Sequence, residues 1–356
     1  MPIDRLDVAA FRIPTDAPES DGTFAWDSTT LVVVEVEAGG VRGCGYSYAD
    51  LATATLVRDS LRDLVVGRDA MAVPAVWAAL VAKVRNVGRR GIASMAISAV
   101  DNALWDLKAR LLDLPLVTLL GAVRDRVAVY GSGGFTSYDT GRLESQLGGW
   151  VEAGIRRVKM KVGRARLAED IERVRAMRAH LGAGFPLMVD ANMRWSVDEA
   201  IRAARALREA DPVWLEEPTI PDDVPGHARI VREGGLPIAA GENLHTLYEF
   251  RALIAAGGVT FPEPDVTNCG GITAFLKICH LAEAFNLPVT SHGAHDVTVH
   301  LLAAVSNRSY LEAHGFGLDR YIAEPLRIDG GAAVAPDRPG HGVEFDWKSL
   351  DRVRAT

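Results

Sequence analysis

The sequence predicts an α/β protein: a modified TIM (β/α)8 barrel carrying an N-terminal α+β capping domain. Three observations predict it. After residue 126, eight strand-like segments alternate with amphipathic helical segments. The first 125 residues read instead as a hairpin followed by helices. Polar residues close the barrel strands from the second to the eighth. Strand–helix alternation without a long antiparallel run implies a parallel sheet, and eight such units imply a closed one.

Within 1–125, the run LVVVEVEAGG (31–40) ends in a Gly-Gly turn and leads into VRGCGYSY (41–48), the pattern of a hairpin. Residues 71–85 and 94–112 then carry apolar side chains at three- and four-residue spacing, and the second helix stops before Leu114-Pro115. The barrel, 126–319, takes its strands from 126–131, 156–163, 185–192, 212–218, 236–243, 259–266, 287–293 and 308–314. A helix over 196–210 is expected to start with a capping box between Ser196 and Glu199. The tail, 320–356, is expected to fold back and complete the capping domain.

The chain has 356 residues, 48% hydrophobic and 24% charged, which is ordinary globular composition. Thirty-nine Lys+Arg against 46 Asp+Glu leave a net charge of −7. No general basic field exists for nucleic acid or anionic lipid, so neither is an expected partner. The opening MPIDRLDVAAFRIPTD alternates charge and apolarity too quickly for a signal-peptide core, and no run reaches the ~18 apolar residues of a membrane span. A cytoplasmic homo-oligomer acting on a small molecule is expected. Cys44, Cys269 and Cys279, odd in number and without C-x-x-C spacing, read as free buried thiols.

The strand ends carry the chemistry. Lys159 and Lys161 close the second strand, Asp190 the third, Glu216 the fourth, Glu242 the fifth, Asp265 the sixth, His292 the seventh and Glu312 the eighth. From Lys161 on they recur about once per strand–helix unit, which gathers them around one mouth, the catalytic face of such a barrel. Asp190, Glu216 and Glu242 converge as three carboxylates whose repulsion calls for a cation, and an all-oxygen set suits Mg²⁺. Lys159 and Lys161 share the inward face of their strand, where each lowers the pKa of the other, making Lys161 a base and Lys159 its neighbouring cation. Asp265 can orient His292 and raise its basicity. His295 and His300 fall in the next helix and His314 in the last loop, where capping or surface roles are the default.

These residues resemble the enolase superfamily, and within it the mandelate racemase subgroup, over nearly the whole chain. The resemblance rests on the ordered set Lys159-Met160-Lys161, Asp190/Glu216/Glu242, Asp265 with His292, and Glu312. It implies that Lys161 and His292 are acid/base groups on opposite faces of the substrate. It also implies that Lys159 contacts a carboxylate oxygen, that Glu312 donates a hydrogen bond to the developing enolate, and that Asn192 touches substrate. The implied reaction is Mg²⁺-dependent abstraction of the α-proton of a carboxylate through an enediolate. An acid-sugar dehydratase, a carbon–oxygen lyase, is the first expectation; a racemase, epimerase or cycloisomerase is the alternative. A metallohydrolase is disfavoured because the first strand, VAVYGSGG, lacks His-x-His.

The lid candidate is Thr15–Trp26. Residues 15–30 hold Asp16, Glu19, Asp21 and Asp27 with no Lys or Arg, which leans toward monocarboxylic aldonic acids over aldaric diacids unless Arg89, Arg90 or a partner subunit supplies the countercharge; a negative lid equally suits a cationic amino-acid-like substrate. Trp26 and Tyr46 are candidate substrate contacts, with packing of the hairpin as the competing reading. His245, just beyond Glu242, is a further candidate, with a solvated loop as the equal alternative.

Overall fold

The computed structural model describes residues 1–314 and 317–355. It opens with a three-stranded antiparallel sheet, β1 (Arg5–Ser20), β2 (Ala25–Ala38) and β3 (Val41–Tyr48). The β2–β3 hairpin is the one read from the sequence. β1 is an addition: the quick alternation of polar and apolar residues in its first half is the period-two pattern of a half-buried strand. Its register with β2 shifts between Pro14 and Glu19, so the hairpin tip bends before Glu19 pairs with Trp26.

Three helices follow, α1 (Leu51–Leu56), α2 (Val73–Lys83) and α3 (Ile92–Leu111). α3 lies flat on β3 because Gly43 and Gly45 leave room: a Cβ at either would stand 2.3 Å from a backbone nitrogen of Leu107 or Ala103. That approach buries Val34, Val36, Ile97, Val100 and Leu104 in one core. At roughly 1.5–3 kcal/mol per fully buried aliphatic side chain, this contact holds the capping layer together.

After α4 (Leu116–Leu120) comes the barrel. Its strands β4 (Val127–Gly133), β5 (Val158–Lys161), β6 (Leu187–Asp190), β7 (Leu215–Glu216), β8 (Ile238–Ala240) and β9 (Phe261–Pro262) pair in parallel in that order. Between them run α5 (Thr140–Glu152), α6 (Leu167–Leu181), α7 (Val197–Leu207), α8 (Val224–Gly234) and α9 (Leu247–Ala255), with α10 (Ile272–Ala284) and α11 (His295–Ala304) completing the ring. The Ser196–Glu199 capping box is present on α7. β10 (Leu311–Ala313) pairs in parallel with β4 and closes the barrel.

The expected seventh strand is reduced to one parallel bridge, Val289 to Arg308, plus single bonds from Thr290 N to Pro262 O and from Ser291 N to Tyr310 O. Pro288 has no N–H to offer, and Gly293 and Ala294 turn away with positive φ. The barrel interior is layered. Tyr130, Met188 and Trp214, with Phe261 and Tyr310 against them, form an apolar floor. Two residues further along their strands, Asp190, Glu216, Glu263 and Glu312 face the same way.

The tail adds β11 (Ile328–Asp329), β12 (Ala332–Ala333) and α12 (Trp347–Leu350). β12 pairs antiparallel with β4, so the tail also extends the barrel sheet. It then reaches the first sheet, where His341 Nε2 donates to Cys44 O at 2.7 Å and Ala355 N to Ala10 O. Cys44, Cys269 and Cys279 are free thiols. Among the described residues no helix is long and apolar enough to cross a membrane.

Candidate active site

Asp190 and Glu216 end β6 and β7, and Glu242 follows β8 by two residues. Their carboxylate oxygens lie within 4.8 Å of one another in a buried cluster. Each is fixed from behind: Asp190 Oδ1 accepts from Asn192 N at 2.9 Å, Glu216 Oε2 from Trp214 Nε1 at 2.9 Å, and Glu242 Oε1 from Asn243 Nδ2 at 3.2 Å. Burial and then Asp190's charge push Glu216 up to about 8; burial raises Glu242 as well. Asp190 goes down, since Lys161 and Lys159 outweigh its burial. Two lysines rest on these oxygens, so the cluster draws positive charge. An all-oxygen, buried, mutually repelling set fits a hard divalent cation.

Both lysines point into the barrel. Lys159, fully buried, bonds Glu216 and lies 3.0 Å from Glu312 Oε1 and 3.7 Å from Asp190 Oδ2. Lys161 bonds Asp190. The expected fall in Lys161 pKa is reversed here: burial opposes its charge, but Asp190 together with Glu242 and Glu216 outweighs burial and holds the ammonium above its usual range. The reason is count, because the surrounding strands supply more carboxylates than lysines.

His292 Nδ1 meets Asp265 Oδ2 at 2.8 Å, and its Nε2 lies 3.2 Å from Glu242 Oε2 and 3.9 Å from Glu312 Oε2. Burial works against the imidazolium, yet Glu242, Glu312 and Asp265 raise it well above the ordinary histidine range. Glu312 also accepts from Gly293 N at 2.7 Å. Burial favours its protonation, but Lys159 and His292 hold it well below the usual range. In this arrangement Glu312 is therefore an acceptor, contrary to the donor role expected of it, because Lys159 sits on it.

Asn192, with φ +42°, is folded under the cluster, its Nδ2 3.5 Å from Glu242 Oε1. Its Oδ1 is buried without a hydrogen-bond partner among the described residues. Trp26 reaches the mouth and packs edge-on against Phe135, centroids 5.7 Å apart. Tyr46 does not reach it: it is 1% exposed and packs between Tyr48 and Phe345, so packing, not substrate contact, is its place. His245 lines a cavity of about 450 Å³ beside the cluster, with Met193, Asn243 and Tyr248.

Three further residues belong to the site: Glu263 and Glu217, not singled out from the sequence, and His314, for which the sequence suggests a last-loop capping or surface role. Glu263 is buried, accepts from Tyr130 OH at 2.9 Å, and is pushed up by burial and then by Glu216. Glu217, with φ +35°, accepts from Asn243 Nδ2 at 2.8 Å. His314 stands against Phe135, and burial lowers it to about 3. Parity could have found two of them: Glu263 is two residues before Asp265, and His314 two after Glu312.

A capped (β/α)8 barrel with three metal-type carboxylates at successive strand ends, flanked by lysine and histidine, defines the enolase superfamily. The chain belongs to its mandelate racemase/muconate lactonizing enzyme family. Residues 9–121 match that family's N-terminal domain, and residues 142–349 match the enolase C-terminal domain-like family. The chain is 49% identical over 357 aligned positions, 99% of each chain, to the 3,6-anhydro-alpha-L-galactonate cycloisomerase of Streptomyces coelicolor. It is 37% identical to the L-talarate/galactarate dehydratase of Salmonella typhimurium, over 88% of this chain and 80% of that one. A crystal structure of a racemase from Streptomyces coelicolor with bound magnesium superposes with a TM-score of 0.97 at 48% identity, covering 99% of this chain and all of that one.

Proposed function

We propose that this protein catalyses β-elimination from an acid sugar, and that the oxygen expelled is a ring ether, making the net reaction a cycloisomerisation. The observation that carries the reading is the flanking of one carboxylate cluster by two proton carriers. Lys161 sits on its Asp190 end, and His292, held by Asp265, on its Glu242 end. Asp190, Glu216 and Glu242 would hold Mg²⁺, which when bound neutralises the negative charge developing on the substrate carboxylate.

The chain's own residues do the rest. Lys159 supplies a buried positive charge to a carboxylate oxygen, leaving its contact with Glu312 to do so. Once the charge of Asp190 is offset by a cation, Lys161 would lose its proton to solvent, and as the neutral amine it takes the C2 proton. The C–H electrons enter the enediolate and then form the C2=C3 bond as the C3–O bond breaks. His292 gives its proton to the leaving oxygen, and the enol tautomerises to a 2-keto-3-deoxy acid. Withdrawal of Lys159 toward substrate also frees Glu312 to protonate and donate.

In a 3,6-anhydro acid the oxygen on C3 is the ring ether, so elimination opens the ring and no atom is lost. In an open-chain acid it is a hydroxyl, and water leaves. The relative identical at 49% favours the first outcome; the relative at 37% supports dehydration as the second reading. Incubation with Mg²⁺ and 3,6-anhydro-L-galactonate should give an isomeric keto acid by mass spectrometry. A product only from open-chain acids, lighter by one water, would establish dehydration instead. Absence of α-proton exchange with every acid sugar would remove both readings.

A further inference from the structure

The tip of the β1–β2 hairpin is docked over the barrel mouth. Thr136 N donates to Ser20 O at 2.8 Å, and Thr136 Oγ1 to Asp21 O at 2.6 Å. Gly22 lies so close to the ends of β5 and β6 that a Cβ there would stand 2.7 Å from Ala191 O and 3.3 Å from Val162 O. Val162 directly follows Lys161, so the tip covers that lysine's strand. Two acidic residues on this tip are half-buried: Asp21, whose Oδ1 is taken up by Thr23 N and Phe24 N, and Glu19, to whose Oε2 Trp26 Nε1 donates at 2.9 Å. Trp26 is seated on Phe135, whose ring packs in turn against His314 at 6.3 Å.

Burial and the neighbouring Asp16 raise the Glu19 carboxyl above its ordinary range, against the opposing pull of Trp26, Lys161 and Arg142. Lys161 bonds Asp190 in the cluster, and Arg142 donates to Tyr138 OH at 3.3 Å and stacks 4.0 Å over that ring.

We infer that Glu19 is a specificity residue that restricts the substrate to acid sugars whose distal end is uncharged and hydroxylated. The inference rests on the acid-sugar reading above and deepens it. A substrate anchored by one carboxylate at the cluster extends outward beneath the lid. A hydroxyl there donates to the Glu19 carboxylate. A second carboxylate meets a like charge at a half-buried position, an effect on the order of tenfold or more in affinity.

The test is calorimetric binding of galactonate and galactarate to the Mg²⁺-loaded protein, alongside α-proton exchange of both in deuterated water. The wild type should bind galactonate at least tenfold more tightly than galactarate. Glu19→Gln keeps an acceptor for Trp26 and removes the charge, and it should shrink that ratio at least fivefold. Glu19→Asp, which keeps the charge, should preserve it. If Glu19→Gln changes both affinities equally, or the wild type prefers galactarate, the specificity role is overturned while exchange upholds the acid-sugar reading. If the wild type neither binds nor exchanges either acid, the specificity role is overturned, and exchange of 3,6-anhydro-L-galactonate decides the acid-sugar reading separately.

Discussion

Asp265 holds His292 with one oxygen and Thr267 with the other: Oδ2 lies 2.8 Å from His292 Nδ1, while Oδ1 accepts from Thr267 N at 2.6 Å and Thr267 Oγ1 at 2.7 Å. The carboxylate cannot swing, so the imidazole keeps its Nδ1 edge toward Asp265 and turns Nε2 toward the cluster. Asp265→Asn would keep the Thr267 contacts with its carbonyl oxygen but present an NH2 to Nδ1, forcing the wrong tautomer. We expect kcat to fall about 10²–10⁴-fold with little change in KM, measured by initial rates with saturating Mg²⁺. A fall under tenfold would deny His292 its role as a proton carrier.

Three buried carboxylates, two of them raised in pKa, are a source of instability that a bound cation removes. Mg²⁺ at a hundred times its dissociation constant should therefore stabilise the folded protein by about 2.7 kcal/mol, read as a rise in Tm. Glu216→Gln should lose most of that rise, and a chelator should abolish α-proton exchange. Full activity of the metal-free protein would contradict the ligand set.

His300 gives a pH prediction independent of the site. Its Nδ1 accepts from Val117 N at 3.1 Å and its Nε2 donates to His341 O at 3.0 Å, tying α4 to the tail with a neutral ring. Burial drives its pKa from 6.5 down to about 3. Below 6.5 the unfolded chain binds a proton that the folded ring refuses. Stability is thus whole above pH 6.5 and is lost as pH falls toward 3, by on the order of 4 kcal/mol in full. His300→Gln should be less stable at pH 8, by about 1–3 kcal/mol, but should lose less on acidification. Urea midpoints from pH 8 to pH 4 give the comparison, and parallel curves would rule it out.

The legibility of the fold followed burial. Asp190, Glu216 and Glu242 could be read from the sequence because each ends an apolar strand, so a carboxylate there stands out. Glu263 was hidden because Asp265, on the same strand end, already filled the expected place. β1 is hard to read because its polar–apolar alternation, interrupted by Pro14 and Pro18, is shared by an exposed irregular segment. The seventh strand was overdrawn because Pro288 and the Gly293 turn limit its pairing in a way that hydrophobicity does not register. The sign of the Lys161 shift was out of reach, since it depends on a carboxylate 29 residues away making direct contact. Tyr46 and Tyr48 look equivalent in sequence, and the packing of Phe345 from the tail on Tyr46 is a contact no local pattern announces.

The two proton carriers can be told apart by stereochemistry. Lys161 approaches from the Asp190 end of the cluster and His292 from the Glu242 end, so each meets a different face of the α-carbon. Lys161→Ala should abolish exchange of an α-proton directed toward β5, yet leave slow exchange in epimers whose hydrogen points toward His292. His292→Asn should show the reverse preference. In β-elimination the roles are unequal: Lys161 removes the proton, and His292 releases the oxygen. His292→Asn should therefore still exchange the α-proton of the true substrate while product formation falls about 10²–10⁴-fold. Lys161→Ala should lose both together. Proton NMR in deuterated water, with Mg²⁺ present and both configurations of each acid sugar, follows exchange and product in one sample. If one substitution stops every process in both epimers and the other stops none, a single base serves both faces and the two-carrier arrangement is wrong.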